Sequence, residues 1–114
     1  MTRKPRLLPK EWKNWTPEEW GGIGEAYRLL EAVQRNAGAA ARRIGQVLRP
    51  GETAREAVDA GRLSETELRR AGALMAAADA AQQLSRAFEM GEFAPLEFAT
   101  QARSIHASTN EGAV

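Results

Sequence analysis

One local pattern occurs three times in this chain and constrains its fold more than any other feature. It consists of an apolar residue, a cap position, a Glu three residues after the cap, and a second apolar residue directly after that Glu. The first copy is Trp15-Thr16-Pro17-Glu18-Glu19-Trp20, the second Leu63-Ser64-Glu65-Thr66-Glu67-Leu68, the third Phe93-Ala94-Pro95-Leu96-Glu97-Phe98. A Thr or Ser at the cap accepts from backbone N–H groups of the first helical turn. The Glu reaches back to the cap N–H, and the flanking apolar pair closes over the turn as a staple. Pro17 and Pro95 suit the first helical position, where the missing N–H has no partner to lose. The third copy lacks a capping side chain at Ala94.

Two of these starts follow a glycine two residues before the staple, Gly61 before Leu63 and Gly91 before Phe93. That is where a preceding helix ends in a left-handed residue. Helix, glycine, turn and stapled helix are thus written twice, 30 residues apart, short of the three or more copies a repeat array needs. Between the marks lie a first helix over residues 17–48, a short one over 54–60 with Thr53 as cap and Glu56 as its partner, a third over 65–90 and a fourth over 95–106. In the first helix Ile23, Tyr27, Leu30, Ala37, Ala41, Ile44 and Leu48 step by fours and threes, with Gln34 interrupting, which predicts a packing seam. Asn36 and Gly38 offer a place for a kink. The third helix is the Ala-rich one, with small side chains on nearly every face, so neighbouring axes can approach closely.

The 114 residues include 22 Ala but only seven Val and Ile together, the balance of a helical domain. The expected fold is all-α: a small bundle of three to four helices with one long Ala-rich helix and an extended N-terminal arm. Residues 1–13 form the arm, 14–106 the bundle and 107–114 a frayed tail. With ten Leu, three Ile and seven aromatics the core is thin, so Trp12, Trp15, Trp20, Tyr27, Phe88, Phe93 and Phe98 are expected to fill its ends. A long helix in so small a chain also suits a homodimer formed through the first or third helix.

Zero Cys, one His and two Asp remove thiolate chemistry, disulfides and two-histidine metal clusters, and no P-loop, dinucleotide glycine pattern or nucleophile elbow is present. No cofactor or metal is expected. His106 is the one imidazole, and an enzyme built on this chain would need a polar pocket around it. No apolar run approaches the roughly 18 residues of a membrane span, and a cytoplasmic protein with neither a membrane nor a small-molecule substrate is expected.

The net charge of +1 conceals an uneven distribution, because residues 1–13 alone carry +4. Arg3, Lys4, Arg6, Lys10 and Lys13 interleave with Trp12, and Pro5 and Pro9 hold the segment extended, the composition of a clasp around a partner or another subunit. Arg28, Arg35, Arg42 and Arg49 recur every seven residues along the first helix, with Arg43 beside them, on a solvated face that suits a partner surface. The meeting of two helices between Ala57 and Ala71 superficially matches a DNA-reading helix-turn-helix. Glu65 and Glu67 at the start of its second helix would repel phosphate, and a structural hairpin accounts for the same residues.

The functional expectation is a non-enzymatic macromolecular-binding protein, an adaptor, inhibitor or regulator acting through protein–protein contact, of a size and composition that suit a phage or plasmid product directed at a host complex. The arm residues and Arg28, Arg35, Arg42 and Arg43 are its candidate contacts. The alternative is a nucleic-acid-binding regulator using the same basic arm and helical arginines.

Overall fold

The computed structural model describes residues 14–112, so the basic arm and the last two residues lie outside the described residues. It contains four helices, α1 (Pro17–Val47), α2 (Ala54–Asp59), α3 (Glu65–Glu89) and α4 (Pro95–Gly112), with no strand among the described residues. The chain is a small all-α bundle, and α1 passes Asn36 and Gly38 without interruption.

The starts are made as their residues dictate. Glu19 N–H donates to Thr16 Oγ1 at 3.1 Å while Thr16 N–H donates to the Glu19 carboxylate at 2.8 Å. The same reciprocal pair closes α2 through Thr53 and Glu56, and α3 through Ser64 and Glu67. Such a cap contributes about 1 kcal/mol, so it directs the chain more than it holds the fold. The stops are equally local. Gly61 and Gly91 sit at φ 84° and 87°, each after a helix whose last carbonyls are taken up by the following N–H groups. Gly61 N–H donates to the Val58 carbonyl and Arg62 N–H to that of Ala57; Gly91 and Glu92 do the same toward Phe88 and Ala87. These are paired six-to-one and five-to-two closures around a left-handed residue, a geometry in which an L side chain is strained.

The buried stripe of α1 is Ile23, Ala26, Leu30, Val33 and Ala37. The expected seam is corrected at three positions: Ala26 and Val33 belong to it, and Ala41 is exposed. The steps of three and four are kept, but they run one position off Tyr27, whose ring packs beside the core rather than inside it. Ile44 and Leu48 are only half-buried. A second correction concerns α4, expected to stop near His106 with a frayed tail from 107; it continues to Gly112 and buries Thr109. The hydroxyls of Ser108 and Thr109 donate to the carbonyls of Ile105 and His106, each at 2.7 Å, which absorbs these polar side chains into the helix.

Helices α1 and α3 run antiparallel, tied at one end by Tyr27 and Glu89 and at the other by Arg43 and Glu67. Helix α4 lies in the cleft between them, against the N-terminal part of α1 and the C-terminal part of α3. A Cβ on Gly22 would stand 3.7 Å from that of Ala99, so the glycine lets α4 seat closely on α1. Measuring 56 × 38 × 16 Å, the molecule is two helix layers thick.

The core gathers where the three helices meet. Ile23, Ala26 and Leu30 face Ala81, Leu84 and Phe88 of α3 and Phe98, Ala99 and Ala102 of α4. Phe88 and Phe98 stack with centroids 4.1 Å apart and planes within 6°. Trp15 stacks on the other side of Phe88 at 5.6 Å and meets Trp20 edge-on at 5.0 Å, while Tyr27 leans on Phe98 at 5.1 Å. Aromatic residues therefore concentrate at one end of the bundle. Burial pushes the Tyr27 phenol well above its ordinary range, and its hydrogen bond to Glu89, with that carboxylate's charge, pushes it further in the same direction.

Candidate functional site

Helix α4 does not cover the full length of the cleft. Phe98 stacks on Phe88 and Ala99 approaches Gly22. With α4 antiparallel to α3 and parallel to α1, both registers place its end at Gly112 near residue 74 of α3 and residue 35 of α1. Beyond that point α1 and α3 continue past the end of α4, with α2 packed against α3 in this half. There the cleft opens as a groove of about 310 Å³, lined by Ala39, Ala40, Arg43 and Ile44 from α1, Leu63 from the turn, and Glu67, Arg70, Ala71 and Leu74 from α3. Its lining is mostly apolar, with an arginine from each helix.

Charged ties join the elements around this end of the molecule. Glu67 performs two tasks: one carboxylate oxygen accepts from Ser64 N–H in the cap, and the other accepts from Arg43 Nε at 3.1 Å, joining α3 to α1. The cap N–H bond and the Arg43 guanidinium hold its carboxyl below the usual carboxylate range. Arg55 of α2 takes both oxygens of Glu65 at 2.8 and 3.1 Å, a bidentate clamp that also lowers the Glu65 carboxyl. Arg62 completes the set. Its Nε donates to the Val47 carbonyl at 3.3 Å, closing the end of α1, and its terminal nitrogen pairs with Glu52. That hydrogen bond from Arg62 is the main reason the Glu52 carboxyl is held low, with the Arg49 N–H assisting. These carboxylates stay ionised at neutral pH, so none is a proton donor there.

Of the residues expected to contact a partner, Arg3, Lys4, Arg6, Lys10, Trp12 and Lys13 lie outside the described residues. Arg28, Arg35 and Arg42 are exposed on α1, about 160° around the helix from its buried stripe. Arg49 leaves the row because α1 ends at Val47 and its backbone turns toward Glu52. Arg43 alone among these arginines lines the groove, and sequence reading missed the groove's apolar residues. Leu74 looks like ordinary core in the sequence and is only half-buried, whereas Leu63 is buried.

Tested as a DNA-reading unit, α2 and α3 present Glu65 and Glu67 at the start of the second helix, each already engaged by an arginine. His106 is half-buried on α4, its carbonyl accepting from Thr109. Among the described residues no group of three or more His, Asp or Glu could hold a metal ion, and no helix is long and apolar enough to cross a membrane. Comparison with family models, with curated proteins and with solved structures returns no match.

Proposed function

We propose that this chain is a non-enzymatic protein-binding module, an adaptor, inhibitor or regulator that engages its partner through the open groove between α1 and α3. The observation that carries the reading is the abrupt change along one cleft. The half covered by α4 holds the stacked rings, and the continuation leaves Ala40, Ile44 and Leu74 half-buried beside the buried Leu63 and Ala71. Helical grooves of this kind receive a helix laid along them. Glu67, the one acid in the lining, has both carboxylate oxygens engaged, by Ser64 N–H and Arg43 Nε, which suits fixed electrostatic contact.

A photocrosslinking amino acid in place of Ala40, with the exposed Gln82 of α3 as control, tests this in cells of the source organism. A discrete protein adduct from position 40 and none from position 82 is expected. Absence of an adduct at position 40, or the same adduct at both, overturns the reading.

Arg35 and Arg42, exposed on the outer face of α1, support a second reading in which the chain contacts nucleic acid. A gel shift across a salt series separates the two, since phosphate contacts weaken steeply as salt rises. Absence of a shift at low salt removes the second reading.

A further inference from the structure

We propose that residues 52–62 form a salt-sensitive lid, which detaches and melts as one unit while the three long helices stay folded. The proposal does not depend on the groove being a docking site. Helices α1 and α3 are antiparallel neighbours, and such a pair is commonly joined by about two to five residues. Here the connection runs from residue 48 to residue 64 and carries α2 inside it. That is far more chain than the turn requires.

The lid is closed on itself. Arg62 pairs with Glu52, which joins its two ends. Between them Thr53 and Glu56 close the cap of α2, and the N–H groups of Gly61 and Arg62 donate to the carbonyls of Val58 and Ala57. Two side-chain ties lead outward: Arg55 to Glu65 at the start of α3, and Arg62 Nε to the Val47 carbonyl at the end of α1. Arg55 and Glu65 are both exposed, so solvent and salt screen the pair between them. Asp59 stands 4.0 Å from Arg55, which gives the guanidinium a second carboxylate within the lid itself.

Burial is equally uneven. Helices α1 and α3 each bury a stripe of five side chains. Helix α2 buries Ala57 alone, with Ala54 and Val58 half-buried, and a single methyl removes little apolar surface from water. A helix of six residues does not stand by itself in water, so α2 is helical only while it is seated, and its detachment and melting are one event. The bundle holds without it. Arg43 joins α1 to Glu67 of α3 directly, and the core cluster contains no residue of the connection. Leu63 follows the lid in the chain and lines the groove, so the opening borders the groove at the end where α1 stops and α3 starts.

The test is hydrogen exchange of the full chain at neutral pH, followed amide by amide by NMR from low salt to about 1 M NaCl. The amides of Ala57, Ala60, Gly61 and Arg62 are all hydrogen-bonded within the lid. They are expected to share one protection factor, at least about ten-fold below that of residues 26–37 of α1 and 77–88 of α3. High salt, Arg55→Ala and Glu65→Gln are each expected to speed the lid amides about two- to five-fold and to leave the others unchanged. The double variant is expected to go no further than either single one, because both remove the same pair. Arg28→Ala, on the outer face of α1, is expected to leave the lid as it is. Lid amides that exchange at the rate of the α1 and α3 amides would show one cooperative bundle and overturn the proposal. Unrelated rates from Ala57 to Arg62, without a common response to salt or to the variants, would reduce the segment to a fraying loop and overturn it as well.

Discussion

Helices α1 and α3 run through both halves of this molecule, yet the halves are built differently. Where α4 joins them, Phe88 and Phe98 are fully buried and five rings pack in succession from Trp20 to Tyr27. Where it does not, the open cleft is lined mainly by Ala with Ile44, Leu63 and Leu74, and Arg43, Arg55 and Arg62 engage carboxylates around it. The covered half buries large rings, the open half smaller residues such as Ala57, Leu63 and Ala71 with polar ties near its surface. An amphipathic stripe thus states that a helix can pack, and a third element decides whether it is sealed. The largest expected contrast is in cavity cost. Phe98→Ala is expected to lose about 3–5 kcal/mol in urea denaturation, against about 1 kcal/mol for the half-buried Ile44→Ala. Similar losses from the two variants would remove the distinction between the halves.

The turns sharpen the same contrast at smaller scale. Gly91 delivers the chain into α4 and Gly61 into the open half, both with positive φ. Each Gly→Ala change is expected to cost about 1–2 kcal/mol in thermal or chemical unfolding, because the left-handed conformation crowds a Cβ. Gly72 is the opposite case. It lies inside α3 with open space where a Cβ would stand, so Gly72→Ala is expected to stabilise by about 0.5–1 kcal/mol. A destabilised G72A variant would show that the Ala-rich part of α3 lies against something the chain itself does not supply.

How much was legible in the sequence divides along the same line. The caps, Gly61 and Gly91 act within four to six residues, so the helix starts and the first three helix ends are readable from their neighbours. Val33 was hidden because the adjacent Gln34 looked like a break in the seam, although the two point to different sides of α1. The end of α4 was misjudged because Ser108, Thr109 and Asn110 are poor helix formers; two hydroxyls turned back onto the helix, and burial of Thr109, outweigh propensity. The groove was not legible at all. It depends on where α4 ends relative to α1 and α3, a distance set by packing between residues some 75 positions apart, as Gly22 and Ala99 are.

The smallest effects, and the ones that separate the halves without altering the chain, are those of pH. Glu52, Glu65 and Glu67 have carboxyls held below the ordinary 4.5, each by an arginine or a cap N–H in the open half. A group whose pKa is lower when folded contributes stability above its unfolded value and loses it as pH falls through the folded one, so these ties weaken below about 4.5. The Tyr27 phenol is shifted the other way, above its ordinary 10.0. Its neutral form donates to Glu89 at 3.0 Å, and its contribution is complete below pH 10 and lost as pH rises beyond it. Acid also relieves repulsion within the covered half, whose net charge is −6. Acidification is therefore expected to release the amides of residues 49–68 to hydrogen exchange while the fluorescence of Trp15, on its stack with Phe88, stays unchanged. Alkali past pH 10 is expected to reverse the order, perturbing the tryptophan signal first. Loss of both signals together at one pH would mean that the halves unfold as a single unit, with Arg62, Glu52 and the Val47 carbonyl transmitting the change into α1.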